Sequence, residues 1–234
     1  MVRLLIALAL LAAACSTVDS SDLRTSGITS HIVVSTETGG STVTVEMSAG
    51  GLTSVELHDA DRLVARSGGT EAGFDQDDFL GRHTYTAQLP GVVASGALVE
   101  VSLERGPDDT SVTSSVALAP PLRVTAPTET TNIPRSQDLL LQTNHADGQI
   151  RVAWTGSCVS PGDTVYGSDG AVVVQAGTLV RPEPVAGATT PPLPQACLVT
   201  LTISRIVDGS LGDGYDGGSI TAERSLTRVI SSVP

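Results

Sequence analysis

Four histidines stand where acid–base or metal chemistry could be built: His31, His58, His83 and His145. None falls in an H-E-x-x-H pair, which would set two zinc-binding imidazoles on one helix face, and the chain has no G-x-S-x-G elbow. A Ser-His-Asp triad is defined by geometry rather than spacing. The enzymatic reading is therefore an exported hydrolase whose site assembles from loops around a histidine. His58–Asp59–Ala60–Asp61 offers three nitrogen or oxygen donors, but reads more simply as a solvated hairpin turn. Hard oxygen ligands suited to calcium gather twice: at Asp75, Asp77 and Asp78 in DQDD, and at Asp208, Asp213 and Asp216 in DGSLGDGYDGG. Neither cluster has EF-hand spacing, and both also read as acidic turns in which glycines supply positive φ. The expectation is no cofactor, with calcium at the Asp208 loop as the alternative. All thirteen basic residues are arginine. A chain without lysine cannot form a Schiff base, a Ser–Lys dyad or a P-loop.

The three cysteines carry a different chemistry. MVRLLIALALLAAACSTVDSSD opens with Arg3, an apolar run from Leu4 to Ala14 and small residues before Cys15, the layout of a secretory signal. Eleven residues fall short of the roughly 20 that cross a bilayer as a helix. The stretch LAAAC resembles the lipobox of bacterial lipoproteins, although Ala12 stands where that family usually carries leucine. The resemblance implies cleavage before Cys15 and its acylation, palmitate included, with Ser16 directing release to the outer membrane. Acyl chains contribute about 0.8 kcal/mol per buried methylene, so three of them hold a protein on a bilayer essentially permanently.

Cys158 and Cys197 then remain, and an even remainder in an exported chain predicts a disulfide. Cys158 is in phase with Ile150, Val152 and Trp154, and Cys197 with Val199, Leu201 and Ile203. Both thus fall on the apolar faces of their strands, where two facing sheets would let them meet.

These residues need elements to hold them, and period-two alternation supplies the pattern. Val43, Val45 and Met47 share one face of STVTVEMS; Tyr85, Ala87 and Leu89 share one face of HTYTAQLPG. Ala97, Val99, Val101 and Leu103 repeat the pattern, as do Val112, Val116 and Leu118. Short alternating runs bounded by Gly, Pro, Asp and Ser predict antiparallel strands at sandwich spacing. Only DQDDFL (Asp75 to Leu80) suggests as much as one helical turn. Pro120–Pro121 cannot donate to a ladder and marks a boundary. The expected fold is all-β: a signal peptide over 1–14, a lipidated and flexible tether over 15–27, and two tandem antiparallel β-sandwich (immunoglobulin-like) domains over 28–120 and 121–234. RPEPVAGATTPPLPQA (Arg181 to Ala196) reads as a stiff loop enclosed by the disulfide.

Tandem strand-rich units with one disulfide resemble immunoglobulin-like sandwiches, but Trp154 precedes the first cysteine and no tyrosine stands two residues before Cys197. YTAQLPG, VEVSLERG, the TGSC…AC pair with VTLTISR, and GGSITAERSLTRVISSVP are similar to uncharacterised lipoproteins of GC-rich Gram-negative bacteria. The resemblance implies fold and address, with no assigned activity. A formal charge of −12 argues against a phosphate-binding basic surface, and with it nucleic acid, and against charge-driven adhesion to anionic lipid. The expectation is an exported lipoprotein of the outer membrane, on its periplasmic or surface face. It would work without catalysis as a binding or structural module, with the lipid anchor as its membrane contact and a protein or glycan as partner. The alternatives are the hydrolase and an accessory subunit of an envelope or secretion complex.

Overall fold

Wherever the sequence alternates, one face is buried and the other solvated. That division is visible in a computed structural model that describes residues 17–51, 53–106, 109–128, 131–144, 148–167, 170–179 and 195–234. The signal peptide, Cys15, His145 and most of the proline-rich segment lie outside the described residues. The chain is all-β, divided into two compact units, each a sandwich of two sheets.

The first unit takes the chain up to Leu118 together with Val207–Glu223. Its strands are β1 (Thr17–Asp19), β2 (Thr29–Glu37), β3 (Gly40–Ala49), β4 (Thr53–Glu56), β5 (Arg62–Ser67), β6 (Thr70–Gly73), β7 (Asp75–Phe79), β8 (Arg82–Pro90), β9 (Leu98–Glu104) and β10 (Val112–Ala117). In one sheet β3 pairs with β2 along one edge and with β8 and β4 along the other; β1 adds to β4 and β7 to β8. The second sheet runs β10-β9-β5-β6. Val43, Val45, Met47, Tyr85 and Leu89 meet Val99, Val101, Leu103 and Val116 in one apolar cluster between them. Each fully buried aliphatic side chain contributes about 1.5–3 kcal/mol.

The second unit comprises Ala119–Ile206 and Arg224–Pro234. It holds β11 (Val124–Ala126), β12 (Asn132–Pro134), β13 (Leu139–Thr143), β14 (Gln149–Gly156), β15 (Gly162–Tyr166), β16 (Ala171–Val174) and most of β17 (Cys197–Asp208). β14 lies between β15 and β17, while β11-β13-β16 forms the other sheet. Ile150, Val152, Trp154, Val199, Leu201 and Ile203 fill the core with Leu139, Leu141, Val172 and Val174.

The last strand, β18 (Gly217–Val233), overturns the division at Pro120–Pro121 that gave all of 121–234 to one domain. Residues Gly217–Glu223 pair in parallel with β2, from Thr29 to Ser35, and so belong to the first unit. Farther along, Ser231–Val233 pairs in parallel with β12 inside the second. Gly218 makes the entry into this strand: its φ is +121°, and a Cβ there would collide with the backbone oxygen of Ser30. With β1 against β4 also parallel, the ladders are mixed rather than purely antiparallel.

Two further expectations change. DQDDF is no helical turn: it is β7, zippered antiparallel to β8 from Asp75↔Thr86 to Phe79↔Arg82, with every residue exposed. Nor are residues from Thr17 to Gly27 a flexible tether. They form β1, a 3-10 turn at Ser20–Asp22 and another at Thr25–Gly27, with Ser20 and Thr25 buried.

Candidate functional site

Polar bonds add to the packing of Val18 and Leu23 on the core in holding the amino-terminal segment down. The Asp19 carboxylate caps the first 3-10 turn by accepting from Ser21 N at 2.8 Å and Ser21 Oγ at 2.7 Å. Those bonds keep the Asp19 carboxyl below the ordinary carboxylate value. Ser20 Oγ donates to Asp61 Oδ2 at 2.7 Å and accepts from His58 N at 2.9 Å. Arg105 closes the cluster. Its Nη2 donates to Ser20 O at 2.8 Å and Leu23 O at 3.0 Å, and lies 3.2 Å from Asp109 Oδ2. Its Nε sits 3.1 Å from Asp61 Oδ2 without hydrogen-bond alignment, so that contact is Coulombic. Side-chain exposure is 3 % for Arg105 and 5 % for Asp61, which makes this a buried ion pair.

Backbone N–H groups engage the two carboxylates as well. Asp61 Oδ1 accepts from Gly106 N at 2.9 Å, and Asp109 Oδ2 accepts from Thr25 N at 3.1 Å. Burial pushes the Asp109 carboxyl up, but the Thr110 N–H, the Arg105 charge and Thr25 outweigh it, and the net direction is down. A carboxyl held low stabilises the fold above its unfolded value near 3.9. That contribution is lost as pH falls through the folded value.

His58–Asp61 does form a turn, with Asp61 N donating to His58 O at 2.8 Å. It is not the solvated turn of the sequence reading, since Asp61 is inside the cluster and only His58, Asp59 and Ala60 are exposed. Beside it lies a hollow of about 370 Å³ lined by Leu57, His58, Phe74, Gln76 and Tyr85 among others. Its volume reaches the lower end of ligand-sized cavities, but His58, Gln76 and Tyr85 are engaged. The Tyr85 hydroxyl donates to Val55 O and accepts from Leu57 N, both at 3.0 Å, and burial pushes it up to about 12.

Two other histidines are described, each on its own strand. Buried His83 bonds Gln76 through Nδ1 at 3.0 Å, with Nε2 at 3.8 Å from Glu56. His31 and Ser219 are cross-strand neighbours on β2 and β18, Nδ1 to Oγ 3.2 Å, and Glu46 is next in register on β3. Here an exposed serine, histidine and glutamate lie in a row on an open sheet face. Glu46 is bonded to Arg82 at 3.2 Å, and the neighbouring backbone N–H groups belong to strand ladders rather than to an oxyanion site.

Asp208, Asp213 and Asp216 are exposed, and Asp216 N donates to Ile28 O at 2.9 Å. Among the described residues no group of three or more His, Cys, Asp or Glu side chains is gathered as metal ligands would be.

Cys158 and Cys197 are bonded, with Cα atoms 5.7 Å apart. The bridge does not cross between facing sheets, as the phase argument proposed. β14 and β17 are adjacent in one sheet, and continuing their register past Gly156↔Val199 sets Cys158 opposite Cys197. Phase identifies the face of a strand, not its neighbour. Arg135 caps the bridge, its Nη2 lying 2.9 Å from Cys158 Sγ and 2.7 Å from Gln195 O.

Among the described residues the β7–β8 turn carries the two most exposed large apolar side chains. Phe79 is 76 % exposed and Leu80, beside it, 74 %. Leu80 (φ 52°) and Gly81 (φ 73°) both take the positive values that a two-residue hairpin turn requires. For a leucine this conformation costs about 1–2 kcal/mol. Leu80→Asn is therefore expected to stabilise the chain by about 1 kcal/mol, read as a higher urea midpoint. An unchanged midpoint would mean the turn is not strained.

No family model matches the chain, and no curated protein matches it. Among solved structures, the FN1–FN3 domains of chicken CNTN1 align with 90 % of this chain and 68 % of that one, at 11 % identity and a TM-score of 0.24. So low a score carries no functional weight; the β-sandwich fold stands on the strand order and cores described above.

Proposed function

We propose that this chain is an exported lipoprotein, anchored on the outer membrane through acylated Cys15 and acting there as a non-enzymatic binding or structural module. The observation that carries the reading is the docking of Thr17–Gly27 onto the first unit. The residue offered for acylation stands two positions ahead of a hydrogen-bonded part of the sandwich, so the anchor would hold a body close to the bilayer. The Cys158–Cys197 bond suits an oxidising compartment outside the cytosol. Support for a non-catalytic role comes from the engaged carboxylates and hydroxyls: Asp61, Asp109 and Tyr85 are all committed to structural bonds. Cys15→Ala is expected to move the protein from the membrane fraction to the soluble fraction. Continued sedimentation with membranes would refute the lipid anchor.

A further inference from the structure

We propose that the β7–β8 turn is a second membrane contact, with Phe79 and Leu80 entering the interface of the bilayer on which Cys15 is held. This rests on the acylation reading of Cys15. Three placements within the first unit lead to it. β1 is parallel to β4 with Thr17 opposite Ser54, so Thr17, the first described residue, stands at the Ser54 end. Ser54 Oγ accepts from His83 N at 2.9 Å, which puts the start of β8 at that same end. From His83 the hairpin continues outward to Leu80, three residues at about 3.3 Å each, or roughly 10 Å. Cys15 is two residues from Thr17 and so within about 7 Å of it. The turn therefore lies at the end of the sandwich where Thr17 begins, the residue to which Cys15 is tied by two positions of chain.

The side chains at that end are unusual for a solvated turn. Leucine occupies a position where asparagine or glycine would be unstrained, and phenylalanine is exposed next to it. The turn is convex, so its apolar pair suits insertion into a deformable interface. Transfer of one such side chain from water raises partitioning roughly tenfold or more. Asp75, Asp77 and Asp78 follow the turn inward along β7. They oppose an anionic surface, so neutral, zwitterionic headgroups are the expected lipid.

The test uses the full mature chain in phosphatidylcholine vesicles, with intact mass recording the state of Cys15. Phe79→Trp places an indole at the turn, and the parent chain supplies the Trp154 background. Bromine-labelled acyl chains are expected to quench the introduced indole and leave the parent emission unchanged. An acylated chain whose introduced indole is not quenched overturns the membrane contact while the anchor stands. An unacylated Cys15 removes the anchor and, with it, the reason for a bilayer at this turn. A second measurement is independent of acylation: Cys15→Ala should keep weak partitioning into these vesicles, reduced roughly tenfold or more by adding Phe79→Ser. Equal partitioning of the two overturns the inference, as does shielding of the turn by a protein instead of lipid.

Discussion

Arg105→Met is expected to destabilise the first unit by about 3–5 kcal/mol, because it leaves the Asp61 carboxylate buried without its counter-charge. The size follows from burial rather than from charge alone. Arg82–Glu46 is also an ion pair, but both partners are at least half exposed, and such pairs contribute little. At Arg105 water is excluded, and one guanidinium also serves the carbonyls of Ser20 and Leu23. Its loss removes three kinds of partner at once: Asp61, Asp109 and the 3-10 backbone. Two readouts should move together, a lower urea midpoint by circular dichroism and faster amide exchange over Thr17–Gly27. A midpoint within 1 kcal/mol of the parent would show that apolar packing, led by Val18 on the core, is what docks the segment. Asp61→Ala with Arg105→Met should cost less than the sum of the two single changes, since neither charge is then stranded.

Opening the Cys158–Cys197 bond should weaken the second unit by about 4 kcal/mol, the chain-entropy value for a separation of 39 residues. Trp154 makes the effect easy to follow. It is the only tryptophan, it lies four residues before Cys158, and its Nε1 donates to Ser160 O at 3.0 Å. Urea titration of Cys158→Ala with Cys197→Ala, followed by indole fluorescence, measures the loss directly. Dithiothreitol on the parent chain should reproduce it. A shift well under 1 kcal/mol would mean that the β14–β17 ladder alone fixes these strand ends.

The strands that alternate were legible because burial writes a period of two. Val43 to Met47, Tyr85 to Leu89 and Ile150 to Trp154 are buried on the faces their spacing marks. Elements held by polar bonds carry no such mark. Ser20 and Thr25 are buried through hydrogen bonds, and their polar neighbours make STVDSSDLRTSG look like a free linker. The Asp61–Arg105 pair spans 44 positions, and no local pattern distinguishes Arg105 from the exposed arginines. β7 has neither alternation nor burial and exists because β8 is beside it. The disulfide shows a subtler limit. Its partners and their faces followed from counting, whereas the sheet they share depends on strand order, which is a long-range property. Phe79 and Leu80 could have been noticed as an apolar pair following four polar residues, had DQDDFL been read as a hairpin.

The path of the final strand has a consequence for biogenesis. Translation delivers a polypeptide from its amino terminus, yet the first sheet stays one strand short until Gly217–Glu223 arrives. Both halves are thus complete only once β18 has emerged. A chain truncated before residue 207 would complete neither half, and would present unpaired edges to any protease it meets.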